Sequence, residues 1–92
     1  MTTVFGLLLV LLTGCATTAP VQEMSNARQT IAAAHEVKAK LYAPQHIEAA
    51  EKLMQQATGA LESGDYRSAR DYAVAAQQQA IKARQLAVSQ QK

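Results

Sequence analysis

The stretch Ser63-Gly64-Asp65-Tyr66 separates two runs of apolar residues that repeat at intervals of three and four positions. Glycine readily takes the left-handed conformation that follows the last turn of a helix. Aspartate is a preferred N-cap, because its carboxylate accepts a hydrogen bond from an unpaired N–H group of the helix that follows. The stretch therefore predicts that one helix ends at Ser63-Gly64 and that another is capped by Asp65.

The apolar residues on both sides of this turn follow the period of an amphipathic helix. Before the turn they are Ile47, Ala50, Met54, Ala57 and Leu61. After it the stripe consists of alanine alone: Ala69, Ala73, Ala76, Ala80, Ala83 and Ala87. Such small side chains predict a close neighbouring helix, at the short end of the usual interaxial range of about 8–10 Å. The glutamines at 77–79 and 90–91 are predicted to face solvent or to fray.

Tyr42-Ala43-Pro44 predicts a second break, because the residue before a proline is disfavoured in the α region and proline suits the first position of a helix. An earlier helix over about 22–41 is predicted from the spacing of Met24, Ala27, Ile31 and Ala34. Loops of two to four residues favour antiparallel neighbours in an up-down-up order. One long helix kinked at Pro44 is the alternative. The predicted fold is all-α, a short antiparallel bundle of two to three helices.

Composition limits the chain to one small domain. Of its 92 residues, 4% are aromatic and none is tryptophan, so large apolar side chains are few and a monomer would be marginally stable. We expect self-association or a partner helix to supply the missing burial. A net charge of +2 indicates no nucleic-acid partner, and one cysteine excludes an internal disulfide. Two charge pairs at i,i+4, Glu36 with Lys40 and Glu48 with Lys52, favour the predicted helices.

The first residues are typical of a secretory signal. Residues 4–12 read VFGLLLVLL, a run shorter than the roughly 20 apolar residues that span a bilayer but suited to the core of a signal peptide. No Lys or Arg precedes the run, so either the leader is weak or the true start lies upstream. The run closes with Leu12-Thr13-Gly14-Cys15, which holds the sole cysteine of the sequence.

This ending resembles the lipobox of bacterial lipoproteins, in which the cysteine thiol receives a diacylglyceryl group and a peptidase cuts before the cysteine. The resemblance implies a signal peptide at 1–14, a tether at 15–21 lipidated on Cys15, and a helical domain at 22–92. Because Ala16 stands where Asp favours inner-membrane retention, it also implies the periplasmic face of the outer membrane in a Gram-negative bacterium. An ordinary secretory signal, or a buried helix with a chance cysteine, is the alternative.

The helical part shares a set of residues with a known family: Tyr42-Ala43-Pro44, Ala49, Ala50, Leu53, Ala57, Ala60-Leu61, Gly64-Asp65-Tyr66, Ala69, Ala73 and Ala76. In these it resembles small bacterial envelope lipoproteins that carry domain of unknown function 4398. That resemblance implies an architecture and a location but no activity.

Gly64-Asp65-Tyr66, with Ala69 and Ala76, is also similar to the turn of a tetratricopeptide repeat, although Ile81 stands where a proline usually follows. No second copy is present, and stacked repeats need about three units for stability. We therefore predict a single tetratricopeptide-like hairpin. Its turn and packing residues are Pro44, Gly64, Asp65, Tyr66, Ala69 and Ala76.

Side chains able to carry chemistry are few and scattered. We interpret His35 and His46 as surface histidines, and Glu48 with Glu51 as a solvated helix face. The tyrosines at 42, 66 and 72 are predicted to pack at hairpin ends, with a partner-binding patch as the alternative. The sequence thus predicts no catalysis, no metal, no cofactor and no small-molecule substrate.

The functional prediction is a lipid-anchored structural or protein-interaction module. Its expected partners are membrane lipid through Cys15, and a second copy or an envelope protein through a helix face. Lys92 carries an alternative, because small outer-membrane lipoproteins resembling Braun's lipoprotein end in a lysine joined to peptidoglycan. The chain shares their lipid signal, alanine-rich helices and final lysine. It departs from them at Pro44 and Gly64, which interrupt a continuous heptad coil.

Overall fold

The computed structural model describes residues 19–91, and these fold into four helices without a strand. Helix α1 spans Val21–Glu36, α2 spans Ala39–Tyr42, α3 spans Pro44–Glu62 and α4 spans Tyr66–Gln90. None of the described helices is long and apolar enough to cross a membrane. The predicted lipobox at 12–15 and Lys92 lie outside the described residues.

The helices form an up-down-up bundle in which α4 packs against both α1 and α3. One core cluster joins Met24 and Ala27 of α1 to Ala57 of α3 and to Ala73 and Ala76 of α4. A second cluster consists of Ala34, Ala39, Ala43, Ile47, Ala83 and Ala87. Residue numbers therefore rise together along α1 and α4 and run oppositely along α3. This arrangement confirms the predicted all-α bundle.

The core is built almost entirely of alanine. All six alanines of the predicted α4 stripe are fully buried, whereas Met24, Ile47 and Pro20 are the largest fully buried side chains among the described residues. A residue with only a Cβ lets a neighbouring helix approach closely, but it contributes little apolar area of its own. Larger side chains such as Ile31, Leu53 and Leu86 line the edges of the two clusters and stay partly exposed.

The turn between α3 and α4 has the hydrogen bonds of a Schellman motif. Gly64 has a φ of +82°, its N–H donates to the carbonyl of Leu61 at 3.1 Å, and the N–H of Asp65 donates to that of Ala60 at 2.9 Å. These bonds satisfy carbonyls that the end of a helix otherwise leaves without partners. The reversal that they produce allows α4 to lie back along α3.

The helix predicted over 22–41 is interrupted at Val37 and Lys38. Lys38 takes the left-handed conformation, with φ 61° and ψ 41°, and α2 begins after it. The break turns Ala39 into the core and leaves the carbonyl of Val37 to accept a 2.6 Å hydrogen bond from Nε2 of Gln91. A second break falls at Ala43, and Pro44 then opens α3 as a separate helix. A single helix kinked at Pro44 is thus ruled out, because α3 runs opposite to α1.

Candidate functional site

The bundle has two distinct ends, and the chain enters at one of them. The turn end comprises the start of α1, the turn after α3 and the start of α4. Glu23 Oε2 and Arg70 Nε lie 3.6 Å apart there and join the first turns of α1 and α4. The proline end comprises residues 37–44 and Gln91, which donates to Val37. Helix α4 has 25 residues, so the two ends are about 37 Å apart at 1.5 Å per residue.

Pro20 fixes the entry point of the chain at the turn end. Its side chain is fully buried, and its carbonyl accepts a 3.0 Å hydrogen bond from the N–H of Met24. Val21, the last residue of the predicted tether, already belongs to α1. The predicted lipidation residue, Cys15, therefore precedes the turn end by only five positions.

The residues singled out around the turn divide into packing residues and surface residues. Ala69 and Ala76 are buried in the interface of α4 with its neighbours. Asp65 is the N-cap of α4 and accepts a 3.2 Å hydrogen bond from the N–H of Ser68. Hydrogen bonds from Ser68, through its side chain and then its backbone, lower the pKa of the Asp65 carboxyl below its ordinary 3.8. Tyr66, by contrast, is 40% exposed.

Exposed apolar side chains mark both ends of the bundle. At the turn end Val21, the first residue of α1, is 69% exposed, and Tyr66, the first residue of α4, is 40% exposed. At the proline end Leu41 is 70% exposed, between the exposed Lys40 and the partly buried Tyr42.

Helix α4 also carries a partly exposed apolar stripe away from the alanine face. Val74, Ile81 and Val88 follow one another at seven-residue spacing, and Ile81 is 41% exposed. Ile81 borders an open groove of about 310 Å³ between α1 and α4. Its lining is otherwise Gln29, Thr30, Ala33, Arg84 and Gln85, a set with a single charge. Few charges and a partly apolar surface are typical of the centre of a protein interface.

A second groove lies between α1 and α3 and has a different lining. Its volume is about 290 Å³, and it is bordered by Arg28, Ile31, Glu51, Met54, Gln55 and Thr58. Oε2 of Glu51 at its rim lies 3.5 Å from Nε2 of His35, and this contact is an ion pair only when the imidazole is protonated. Both partners are well exposed, and an ion pair of this kind contributes at most about 1 kcal/mol to stability.

The histidines have polar partners that the sequence did not reveal. His35 is exposed, as predicted, and pairs with Glu51 across α1 and α3. His46 is partly buried, and its Nδ1 lies 2.9 Å from Oε1 of Gln79 on α4. The prediction that Gln79 faces solvent or frays is therefore wrong, whereas Gln91 is exposed as predicted, although its Nε2 donates to the carbonyl of Val37. Within residues 19–91 no three potential metal ligands cluster together.

The fold and this surface define a small all-α bundle with an alanine core and open grooves. Residues 22–92 match a protein family described as Domain of unknown function (DUF4398), and the chain belongs to that family. No curated protein and no solved structure matches the chain. Membership of this family fixes the class of domain but assigns it no function.

Proposed function

We propose that this chain is a lipid-anchored lipoprotein on the periplasmic face of the outer membrane, where it acts as a structural or protein-interaction module without catalysis. The observation that carries the proposal is the entry of the chain at one end of a bundle about 37 Å long. A lipid on Cys15, five residues before the buried Pro20, would hold the turn end at the membrane. The remaining surface would then be displayed to partners.

The chemistry of the predicted anchor supports permanent attachment. One acyl chain gives marginal, reversible binding, and each buried methylene adds about 0.8 kcal/mol. A diacylglyceryl group would place two acyl chains on Cys15, and acylation of its amine would add a third. Such a residue would not leave the membrane on a cellular timescale.

The groove between α1 and α4 supports the interaction role. It combines Ile81 and Ala33 with polar side chains of which only Arg84 is charged, and it lies along the stripe formed by Val74, Ile81 and Val88 of α4. A partner helix laid along this stripe would bury apolar area that the alanine core does not provide. An envelope protein or a second copy of the chain fits this description.

Mass spectrometry of the processed protein tests the anchor. We expect a chain that begins at Cys15 and carries added acyl mass. The Cys15→Ser variant should lack that mass and leave the membrane fraction, whereas Thr17→Ser, which leaves the lipobox intact, should behave like the wild type. Ala16→Asp should move the protein from the outer to the inner membrane. An intact Met1 on the native protein would contradict the whole proposal.

Site-specific crosslinking in cells tests the interaction role. A photo-reactive residue at Ile81 should capture a protein neighbour, and the same residue at the exposed Glu48 on α3 serves as the control position. If both positions capture only lipid and other copies of the chain under several chemistries, the module has no envelope partner. Self-association would then be its remaining role.

A tether to peptidoglycan through Lys92 is the second candidate, favoured by the position of its neighbour Gln91. Gln91 lies at the proline end, about 37 Å from the turn end. A link at Lys92 and a lipid on Cys15 would therefore pull on opposite ends of the bundle. Muramidase digestion of purified cell wall should release a muropeptide-linked peptide that ends at Lys92. If no such peptide is released, Lys92 is not joined to peptidoglycan and the tether is ruled out.

A further inference from the structure

We propose that the turn end of the bundle rests on the lipid headgroup layer, with Val21 and Tyr66 at the boundary between headgroups and acyl chains. This inference rests on the proposed lipidation of Cys15. It adds a second, non-covalent contact with the membrane and fixes the orientation of the bundle. The proline end, with Leu41, then points away from the bilayer.

The length of chain before the bundle sets the first constraint. An extended chain spans at most about 3.6 Å per residue, so the five residue steps from Cys15 to Pro20 cover at most about 18 Å. Pro20 is buried and its carbonyl is bonded to Met24, so the chain is held at the bundle from that residue onward. The 18 Å reach is half the length of α4. The turn end must therefore stay near the membrane, and the proline end can reach it only if the bundle lies flat.

The exposed side chains at the turn end suit an interface. Val21 is the first residue of α1, and Tyr66 is the first residue of α4, which runs parallel to α1 beside it. The Glu23–Arg70 ion pair joins α1 to α4 close to these two helix starts. Tyrosine has an apolar ring and a polar hydroxyl, and it is enriched where headgroups meet acyl chains.

The charges at the turn end are close to balance, so the contact does not depend on anionic lipid. Over the helix starts and the turn, the acidic residues are Glu23, Glu62, Asp65 and Asp71, and the basic residues are Arg28, Arg67 and Arg70. The proline end is more basic, since Lys38 and Lys40 are both exposed there. An attraction of that end to anionic lipid is the competing orientation, and the experiment separates the two.

The test uses an environment-sensitive fluorophore on single engineered cysteines in the full, processed chain. Val21→Cys and Tyr66→Cys report on the turn end, and Leu41→Cys, an apolar position as exposed as Val21, is the matched control. Lipidation consumes the thiol of Cys15, so each variant should take up one label per chain. Circular dichroism checks that each variant keeps the helical content of the wild type.

In vesicles of zwitterionic phospholipid, and equally in vesicles that contain anionic phospholipid, we expect the labels at 21 and 66 to emit at shorter wavelength than the label at 41. Spin-labelled lipids with the quencher near the headgroup should reduce the first two signals and leave the third unchanged. Added salt should not alter this difference, because the contact is apolar.

Three results would overturn the inference, and they are distinguishable. Labels at 21 and 66 that behave like the label at 41 mean that the turn end stays in water. A label at 41 that is quenched while the others are not means that the proline end lies on the bilayer. Labels at 21 and 66 that are shielded from water but not quenched by lipid indicate burial against a protein. Two labels per chain would instead show an unmodified Cys15, and the anchor itself would then fail.

Discussion

Replacing the two described glycines by alanine, one at a time, tests the backbone geometry that makes the hairpin. Gly59 lies inside α3 and Gly64 lies in the turn with φ +82°. A Cβ added at either position meets no atom within 4 Å, so space does not distinguish them. Only the backbone conformation does.

The two substitutions should have opposite effects on stability. Alanine in place of a helical glycine gains about 0.5–1 kcal/mol, so Gly59→Ala should stabilise the bundle. At Gly64 the left-handed conformation costs a residue with a Cβ roughly 1–2 kcal/mol, and the lower entropy of the unfolded chain returns about 0.4–1 kcal/mol. Gly64→Ala should therefore destabilise by about 1 kcal/mol.

Thermal unfolding followed by circular dichroism measures the difference. A gap of about 1.5 kcal/mol between the variants corresponds to roughly 6–12 °C in Tm for a domain of this size. Both variants should have the wild-type helical content at low temperature. If Gly64→Ala melts at or above the wild-type temperature, the turn does not hold Gly64 in the left-handed region. If Gly59→Ala melts lower, α3 is not a regular, exposed helix at that point.

Three further predictions concern the core and the cap of α4. Ile47→Ala should lower the free energy of unfolding by about 2–4 kcal/mol in a urea titration, since the Ile47 side chain is fully buried. Leu41→Ala, at the exposed proline end, should change it by less than about 0.5 kcal/mol. Ala76→Leu should cost about 1–3 kcal/mol by forcing α4 away from its neighbours, and an unchanged urea midpoint would show that the helices are not closely packed. Asp65→Ala should lower the Tm at pH 7 by removing the cap, while Asp65→Asn keeps a capping oxygen. The folded-state pKa of Asp65 is lowered, so its ionised form stabilises the bundle above pH 3.8. The higher Tm of the wild type relative to Asp65→Asn should therefore disappear as the pH falls further. A difference in Tm that persists in acid would show that the charge of Asp65 is not its source.

The pattern of small residues was sufficient to predict the architecture. The three-four spacing of the six alanines from 69 to 87 identified the buried face of α4. Pro44 and Gly64 marked the two reversals, because each residue has conformational preferences that act locally. Such signals do not depend on what packs against the chain.

The charge pairs and the first helix show where local reasoning failed. Neither Glu36 with Lys40 nor Glu48 with Lys52 forms an ion pair. Glu23 instead pairs with Arg70 on another helix, and Glu51 contacts His35. The turn at Lys38 separates Glu36 from Lys40 and places them in different helices. Exposed i,i+4 pairs contribute only about 0.2–0.5 kcal/mol each, too little to determine the course of the backbone.

The sequence by itself determined the helices, their alanine face and the predicted lipid signal, because each depends on residue type and spacing along the chain. Only the tertiary structure decided that Lys38 takes the left-handed backbone conformation, since lysine gives no local sign of it. The conformation accompanies the burial of Ala39 and the hydrogen bond from Gln91 to the carbonyl of Val37. It also decided between the up-down-up order and a single helix kinked at Pro44, and so showed that α1 and α4 start at the same end of the bundle. That arrangement arises from contacts between residues about fifty positions apart, which residue type and local spacing do not specify, and it places Pro20, where the chain enters the bundle, at the same end as Tyr66.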